Sequence, residues 1–219
     1  PTAAFGPHRD RADGGAGGAI GKIMSIGRKL LIALPVCLLL TGLTGFAIEK
    51  ADEAFPPPVG EADVVSREVD DTNGQLLRAF ATPDGLWRLK TTVDDVDPQF
   101  LKMLIAYEDQ RFGEHSGVDL LALGRAALQF VSNGRIVSGA STLSMQVARL
   151  IEPRQQRSIT AKLLQIARAI QIERRLSKDQ ILNLYLTHAP YGGNIEGVRA
   201  ASLSWLGKEP KRLTAGEAA

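Results

Sequence analysis

The dipeptide Asp97-Pro98 divides this chain of 219 residues into two kinds of sequence. Before it lie short alternating pieces broken by turn signals; after it, apolar residues recur at helical spacing to the end. Asp then Pro is itself a helix start. The carboxylate accepts a free backbone N–H, and proline fixes φ where no donor is needed. Leu101, Leu104 and Ile105 then lead to Glu108. Further helices are expected from Leu120 to Val131, Thr142 to Leu150, Thr160 to Arg175 and Ser177 to Thr187. The last opens on a capping box, Ser177-Lys178-Asp179-Gln180. Tyr191-Gly192-Gly193-Asn194 breaks the pattern. The expected architecture is therefore mainly α, over residues 98–219, preceded by a small β lead-in over 64–97. In that lead-in Thr72-Asn73-Gly74 and Pro83-Asp84-Gly85 are turn signals, and Leu76, Phe80, Leu86 and Trp87 offer the apolar contacts.

Residues 1–29 carry a Gly- and Ala-rich stretch without periodicity, expected to be disordered and cytoplasmic. An uncharged run from Leu30 to Ile48 follows Lys22, Arg28 and Lys29. Its length suits one transmembrane helix, and the basic flank places its N-terminal end in the cytoplasm. The shorter core Leu30 to Leu40 also resembles a signal peptide, a competing reading weakened because Ala47 is a poor cleavage point. Residues 49–63, with Phe55-Pro56-Pro57-Pro58, read as a stiff linker off the membrane. Thr214-Ala215-Gly216-Glu217 has the form of a helix start, so the chain is expected to be cut as a helix begins.

The formal charge is only +2, but it is unevenly placed. Arg149, Arg154, Arg157, Lys162, Arg168, Arg174, Arg175 and Lys178 face Glu152 and Glu173 within one segment, a cluster able to attract phosphates or anionic head groups. A solvated helix face is the plainer alternative. A single cysteine, Cys37, excludes an internal disulfide and paired-cysteine zinc sites.

Two stretches carry chemistry. Glu108-Asp109-Gln110-Arg111-Phe112-Gly113-Glu114-His115-Ser116-Gly117-Val118-Asp119 sets acid, aromatic, imidazole and glycine at fixed offsets. Gly139-Ala140-Ser141-Thr142-Leu143-Ser144-Met145-Gln146 is a small-residue turn opening a helix. Glu108 ends an apolar helix, where partial desolvation suits a carboxylate to proton transfer. An acidic pair or a lone histidine is more often structural; the ordered set shifts that balance.

The set resembles the peptidoglycan glycosyltransferase family, the lysozyme-like module of class A penicillin-binding proteins. Its first motif is matched at Glu108, Asp109, Phe112, His115, Gly117 and Asp119. Its second is matched at Gly139, Ser141, Thr142, Leu143 and Gln146. The resemblance runs from about Gly74 to Ala219 and is strongest to the 1C branch. It implies polymerisation of lipid II at the outer face of the bacterial cytoplasmic (inner) membrane, with the catalytic domain periplasmic or extracellular. Glu108 matches the general base, with inversion at the anomeric carbon and release of undecaprenyl pyrophosphate. Asp109, Phe112, His115, Ser141, Thr142 and Gln146 match substrate-side positions; Arg125, Arg149 and Lys162 match positions near the donor and its pyrophosphate. The implied partners are lipid II, the lipid-linked glycan chain, the membrane and other cell-wall synthesis proteins, with no nucleic acid.

Two departures stand out. Where the third motif supplies a second glutamate, this chain has Gln165, on one helix face with Lys162; Leu163, Ile166 and Ile170 are the expected apolar stripe. The sequence requires no cofactor, and a divalent cation (Mg²⁺ or Mn²⁺) loses a charged ligand at Gln165. In the fourth motif Asn183 and Thr187 replace the usual Glu and Asn. A lysozyme-like hydrolase and a non-catalytic lipid II-binding scaffold are the alternatives. Neither Ser-x-x-Lys nor Lys-Thr-Gly occurs, so penicillin binding is not expected of these residues.

Overall fold

The computed structural model describes residues 46, 49, 50, 52–60, 62, 64–133, 141–153 and 158–219. The chain forms two compact units, Pro1–Phe55 and Pro56–Ala219. In the first, residues 52–54 are helical and Lys50 pairs with Glu53 at 2.6 Å. The tail expected over 1–29 lies outside the described residues, as does the span at 30–48 apart from Phe46. Among the described residues no helix is long and apolar enough to cross a membrane.

The second unit is mainly helical with two small sheets, as the periodicity predicts. Strands β1 (Arg67–Asp70) and β2 (Leu76–Phe80) form an antiparallel hairpin. Its turn is closed by the Asp71 carboxylate, which accepts the N–H groups of Asn73 and Gln75 at 2.8 Å. Strand β3 (Trp87–Arg88) runs parallel to β4 (Ile195–Glu196), tying the lead-in to the loop after the fifth helix. The lead-in's core differs from expectation. Ala79 and Leu89 are buried with Ala200, whereas Phe80 and Trp87 are 41% and 40% exposed. Strand alternation sends Ala79 inward and its neighbour Phe80 outward. There Phe80 packs under the Arg78 guanidinium, 4.8 Å from the ring centroid.

Five helices carry the domain: α1 (Pro98–Glu108), α2 (Leu120–Asn133), α3 (Leu143–Ile151), α4 (Ile159–Arg175) and α5 (Lys178–His188). Each starts on a side-chain cap. Asp97, Thr142, Ser158 and Ser177 accept the N–H of Gln99, Met145, Ala161 and Gln180. Asp119 accepts those of Leu121 and Ala122 at 2.9 and 3.0 Å. Short helices α6 (Val198–Ala201) and α7 (Ala215–Ala218) complete the unit.

Helix α3 is the central element, packed on α4 and α5. The core joins Phe112 to Leu143, Val147, Ile172, Ile181 and Leu182; each large side chain so buried contributes about 1.5–3 kcal/mol. The inward stripe of α4 is Ala169 and Ile172. Leu163 and Ile170, expected there, are 62% and 39% exposed, because the backbone of the first motif claims the other face. Gly117 lies against that helix at φ +97°, and a Cβ on it would stand 2.9 Å from both C and O of Ala169.

Asn183 and Thr187 are structural. The Asn183 side-chain oxygen accepts the Val93 N–H at 2.8 Å. The Thr187 hydroxyl accepts the Thr91 N–H at 3.1 Å and donates to the Thr91 carbonyl at 3.2 Å. Together they pin the extended segment before α1 to α5.

Gly117→Ala is expected to lose about 3 kcal/mol of stability, from left-handed backbone strain together with overpacking. A urea midpoint within error of the parent's would show that the approach to Ala169 is not that close.

Candidate active site

Glu108 is the last residue of α1, half-buried at the floor of a cleft of about 670 Å³. The cleft is lined by Phe100, Met103, Tyr107, Gln146, Arg149, Tyr185 and Tyr191, among others. The Gln146 amide, from the second turn of α3, donates to Glu108 Oε2 at 2.7 Å. That bond fixes one carboxylate oxygen and leaves the group as an acceptor, the form in which it takes a proton. The other titratable groups of the cleft are a guanidinium and phenols. Burial, then the nearby Glu108 charge, pushes Tyr185 up to about 12. Tyr191 is raised further by burial, with Tyr185 and Glu108 adding to it. Both phenols stay protonated near neutrality, able to donate hydrogen bonds but not to act as bases. Glu108 is the one side-chain carboxylate among the lining residues.

Immediately behind Glu108 the two motifs clasp each other. Asp109 is buried and accepts the His115 Nε2–H at 2.9 Å and the Leu143 N–H, at the start of α3, also at 2.9 Å. His115 Nδ1 accepts the Gly117 N–H at 3.2 Å, so Nε2 carries the ring proton. Thr142, buried, donates its hydroxyl to the Gly117 carbonyl at 2.6 Å. Phe112 is 3% exposed in the core, edge-on to the His115 ring. Asp109, Phe112, His115 and Thr142, expected on the substrate side, therefore face protein. Their polar atoms are used in holding α1's end against α3's start, beside Glu108 and not in the cleft.

A second group lies on α3 and α4. Lys162 Nζ donates to Ser141 Oγ at 2.7 Å and to Gln165 Oε1 at 3.1 Å. The Gln165 amide in turn donates to the Met145 carbonyl. This fixes the amide's orientation, since the reverse would set its NH₂ on an ammonium and its oxygen on a carbonyl. A glutamate at 165 could keep only the lysine contact. Burial, and then the charge of Arg149, hold the Lys162 ammonium below its usual range. Arg149 lines the cleft, and its charge reaches Lys162 beside it; two neighbouring cations make a place where an anion is stabilised.

Arg125 does not join this group. It lies on α2 in an open apolar trough with Leu120, Leu121, Gly124 and Leu128, and is not among the residues lining the Glu108 cleft. Gly139 and Arg154 lie outside the described residues. Tyr185, which fits the fourth motif, and Tyr191 wall the cleft, though sequence reasoning assigned neither a site role. Tyr191 stands in the glycine-rich break after α5, where sequence periodicity is silent.

Magnesium or manganese would need several oxygen donors. Among the described residues no three His, Cys, Asp or Glu side chains gather to hold a metal. Position 165 offers an amide already bonded, and Arg149 and Lys162 bring like charge. This donor set does not fit a dication.

A helical domain with one carboxylate in a cleft, flanked by cations and braced by two interlocked motifs, matches a known family. The transglycosylase family profile matches residues 73–219, and the chain belongs to that family. It is similar to penicillin-binding protein 1C of Escherichia coli K12, at 46% identity over 169 residues, 77% of this chain and 22% of that protein. It is also similar to penicillin-binding protein 1A of the same organism, 33% identical over 87% of this chain and 23% of that one. Penicillin-binding protein 1F of Bacillus subtilis 168 is 33% identical over 70% of this chain and 21% of its own. The chain spans about a fifth of the length of these relatives. The resemblance read from the motifs is thus shown.

The Asp119 cap supplies a pH test of this scaffold. Its carboxyl is held below the ordinary range, first by the Ala122 N–H, with Arg111 and Leu121 adding to it against desolvation. Its stabilising effect is full above the unfolded value near 4 and is lost as pH falls through the lower folded value. Asp119→Asn keeps a capping oxygen without the titration. Urea midpoints between pH 4 and pH 2 should therefore fall less steeply in the variant than in the parent. Equal slopes would remove Asp119 from the acid response.

Proposed function

We propose that this domain is a peptidoglycan glycosyltransferase that polymerises lipid II, with Glu108 as its base. The observation that carries the reading is one half-buried carboxylate, held at 2.7 Å by Gln146, in a cleft whose other ionisable side chains are phenols and a guanidinium. In the reaction Glu108 takes the proton of the acceptor sugar's 4-hydroxyl. The oxygen forms a bond to the anomeric carbon of the lipid-linked chain from the face opposite the leaving group. The bond from that carbon to the phosphate oxygen breaks, and undecaprenyl pyrophosphate departs with the electron pair. Arg149 and Lys162, with the Ser141 hydroxyl beside them, stabilise the charge that develops on the departing pyrophosphate. Positively charged side chains do this with no divalent cation in the step. Tyr185 and Tyr191 remain protonated and serve as donors to sugar oxygens.

A lysozyme-like hydrolase using Glu108 as a single acid is compatible with the cleft, but it leaves the apolar run at 30–48 and the basic segment of α4 without a use. The arguments for a binding-only role are Gln165 and Asn183. Each has a structural partner, in Met145 or Val93, so they argue little for lost chemistry. The apolar run at 30–48 supports membrane anchoring. The exposed Leu120, Leu121 and Leu128 of α2, at 73%, 69% and 73%, suit a face that rests on the bilayer surface where lipid II resides. On this reading the domain works outside the cytoplasmic membrane, alongside other cell-wall synthesis proteins.

Incubated with lipid II, the full chain is expected to yield glycan polymer. Glu108→Gln should lose about 10³-fold in rate while retaining lipid II binding. Polymer formed at the parental rate by Glu108→Gln would refute the assignment. Polymer absent from the parent would refute the function.

A further inference from the structure

Helix α4 carries a second acid that the cleft does not use. Glu173 has a side chain only 5% exposed, in a position that composition would assign to a solvated helix face. Its Oε1 accepts the hydroxyl of Ser144, which is fully buried on α3, and the Lys178 ammonium at 2.7 Å. Lys178 Nζ also donates to the His115 carbonyl at 2.7 Å and stands 4.4 Å over the Phe112 ring. A carboxylate removed from water is costly unless paired and hydrogen-bonded, and this one is both.

Two routes lead from Glu173 to Glu108. Through Ser144 it grips α3 two residues before Gln146, whose amide holds the Glu108 carboxylate. Through Lys178 it grips the His115 backbone, and the His115 ring holds Asp109, which follows Glu108 in the chain. The two routes meet again at Asp109, which also binds the Leu143 N–H. The result is a closed ring around the end of α1, with Glu173 as the member opposite Glu108.

We infer that Glu173 is a positioning residue for the Glu108 base. Acting through Ser144–Gln146 on one side and Lys178–His115–Asp109 on the other, it sets the orientation of the Glu108 carboxylate without touching substrate. This rests on the reading of Glu108 as the base. A small displacement of a reacting group is enough to cost about 10²-fold in rate. The charge of Glu173 matters because a neutral amide leaves Lys178 with a weaker partner and frees it to move off the His115 carbonyl.

The test combines turnover with a probe of the ring itself. In the full chain, Glu173→Gln keeps the side chain's shape and is expected to lower kcat on lipid II by about 10²-fold with little change in KM. Glu173→Asp should recover part of it. Independently, imidazole nitrogen NMR should show the His115 Nε2–H exchanging with water markedly faster in Glu173→Gln than in the parent. Should Glu173→Gln fail to fold, Ser144→Ala cuts one arm alone, and a smaller loss of kcat at unchanged KM is expected. A folded Glu173→Gln with parental kcat and parental His115 exchange overturns the inference, as does an equal rise in KM that accounts for the whole loss. If the parent itself makes no polymer, the base assignment fails, and His115 exchange still decides whether Glu173 governs the ring.

Discussion

The Asp109 carboxylate is the contact on which the rest of this domain depends. It ends α1, accepts a hydrogen bond from the His115 Nε2–H and caps the first free N–H of α3. A buried carboxylate with these partners is stabilised only while all of them are in place; losing one leaves an unpaired donor or charge at a cost of a few kcal/mol. Residues far apart in sequence thus become a single unit. Because Glu108 precedes Asp109 and Gln146 follows Leu143 by less than one helical turn, fixing Asp109 fixes the base and the amide that orients it. The buried members of the first motif hold this geometry.

Electrostatics give the cleft its direction. One carboxylate lies at the end of α1, and two cations stand on α3 and α4. Lys162, bonded to Ser141 and Gln165 beside the cleft, is held below its ordinary range by burial and by the charge of Arg149. An anion placed there relieves both terms. In the proposed reaction, the acceptor's proton would leave toward Glu108 and the donor's phosphates would settle toward Arg149 and Lys162. Under that proposal, charge alone distinguishes the two ends of the reaction.

Much of the helical framework was legible because its signals are local. The α5 capping box at Ser177 and the Asp97-Pro98 start of α1 each name their element's first residue, and period 3.6 carries α2 to α5 to within two residues of their ends. What escaped was decided by neighbours distant in sequence. The outward turn of Phe80 follows from the hairpin register and from Ala200, supplied more than a hundred residues later. The inward stripe of α4 is Ala169 and Ile172 because Gly117 needs a close approach to that helix. At the site, motif spacing brought together Glu108, Gln146, Arg149 and Lys162. It could not separate residues facing the cleft from those buried behind it, because both kinds keep the same spacing.

The positions that depart from the family pattern make the same point about partners. Gln165 presents an N–H to the Met145 carbonyl, where a carboxylate would set oxygen against oxygen. Asn183 and Thr187 turn toward the backbone of Thr91 and Val93, the segment that delivers the chain into α1. In each case the side chain answers a backbone group that would otherwise lack a partner in the interior. An ionised acid at 165 or 187 would give up the bond that Gln165 or Thr187 donates to a backbone carbonyl. These departures follow local hydrogen-bond demand on faces away from the Glu108–Gln146 pair, so the chemistry assigned to Glu108 does not depend on a second acid at those places.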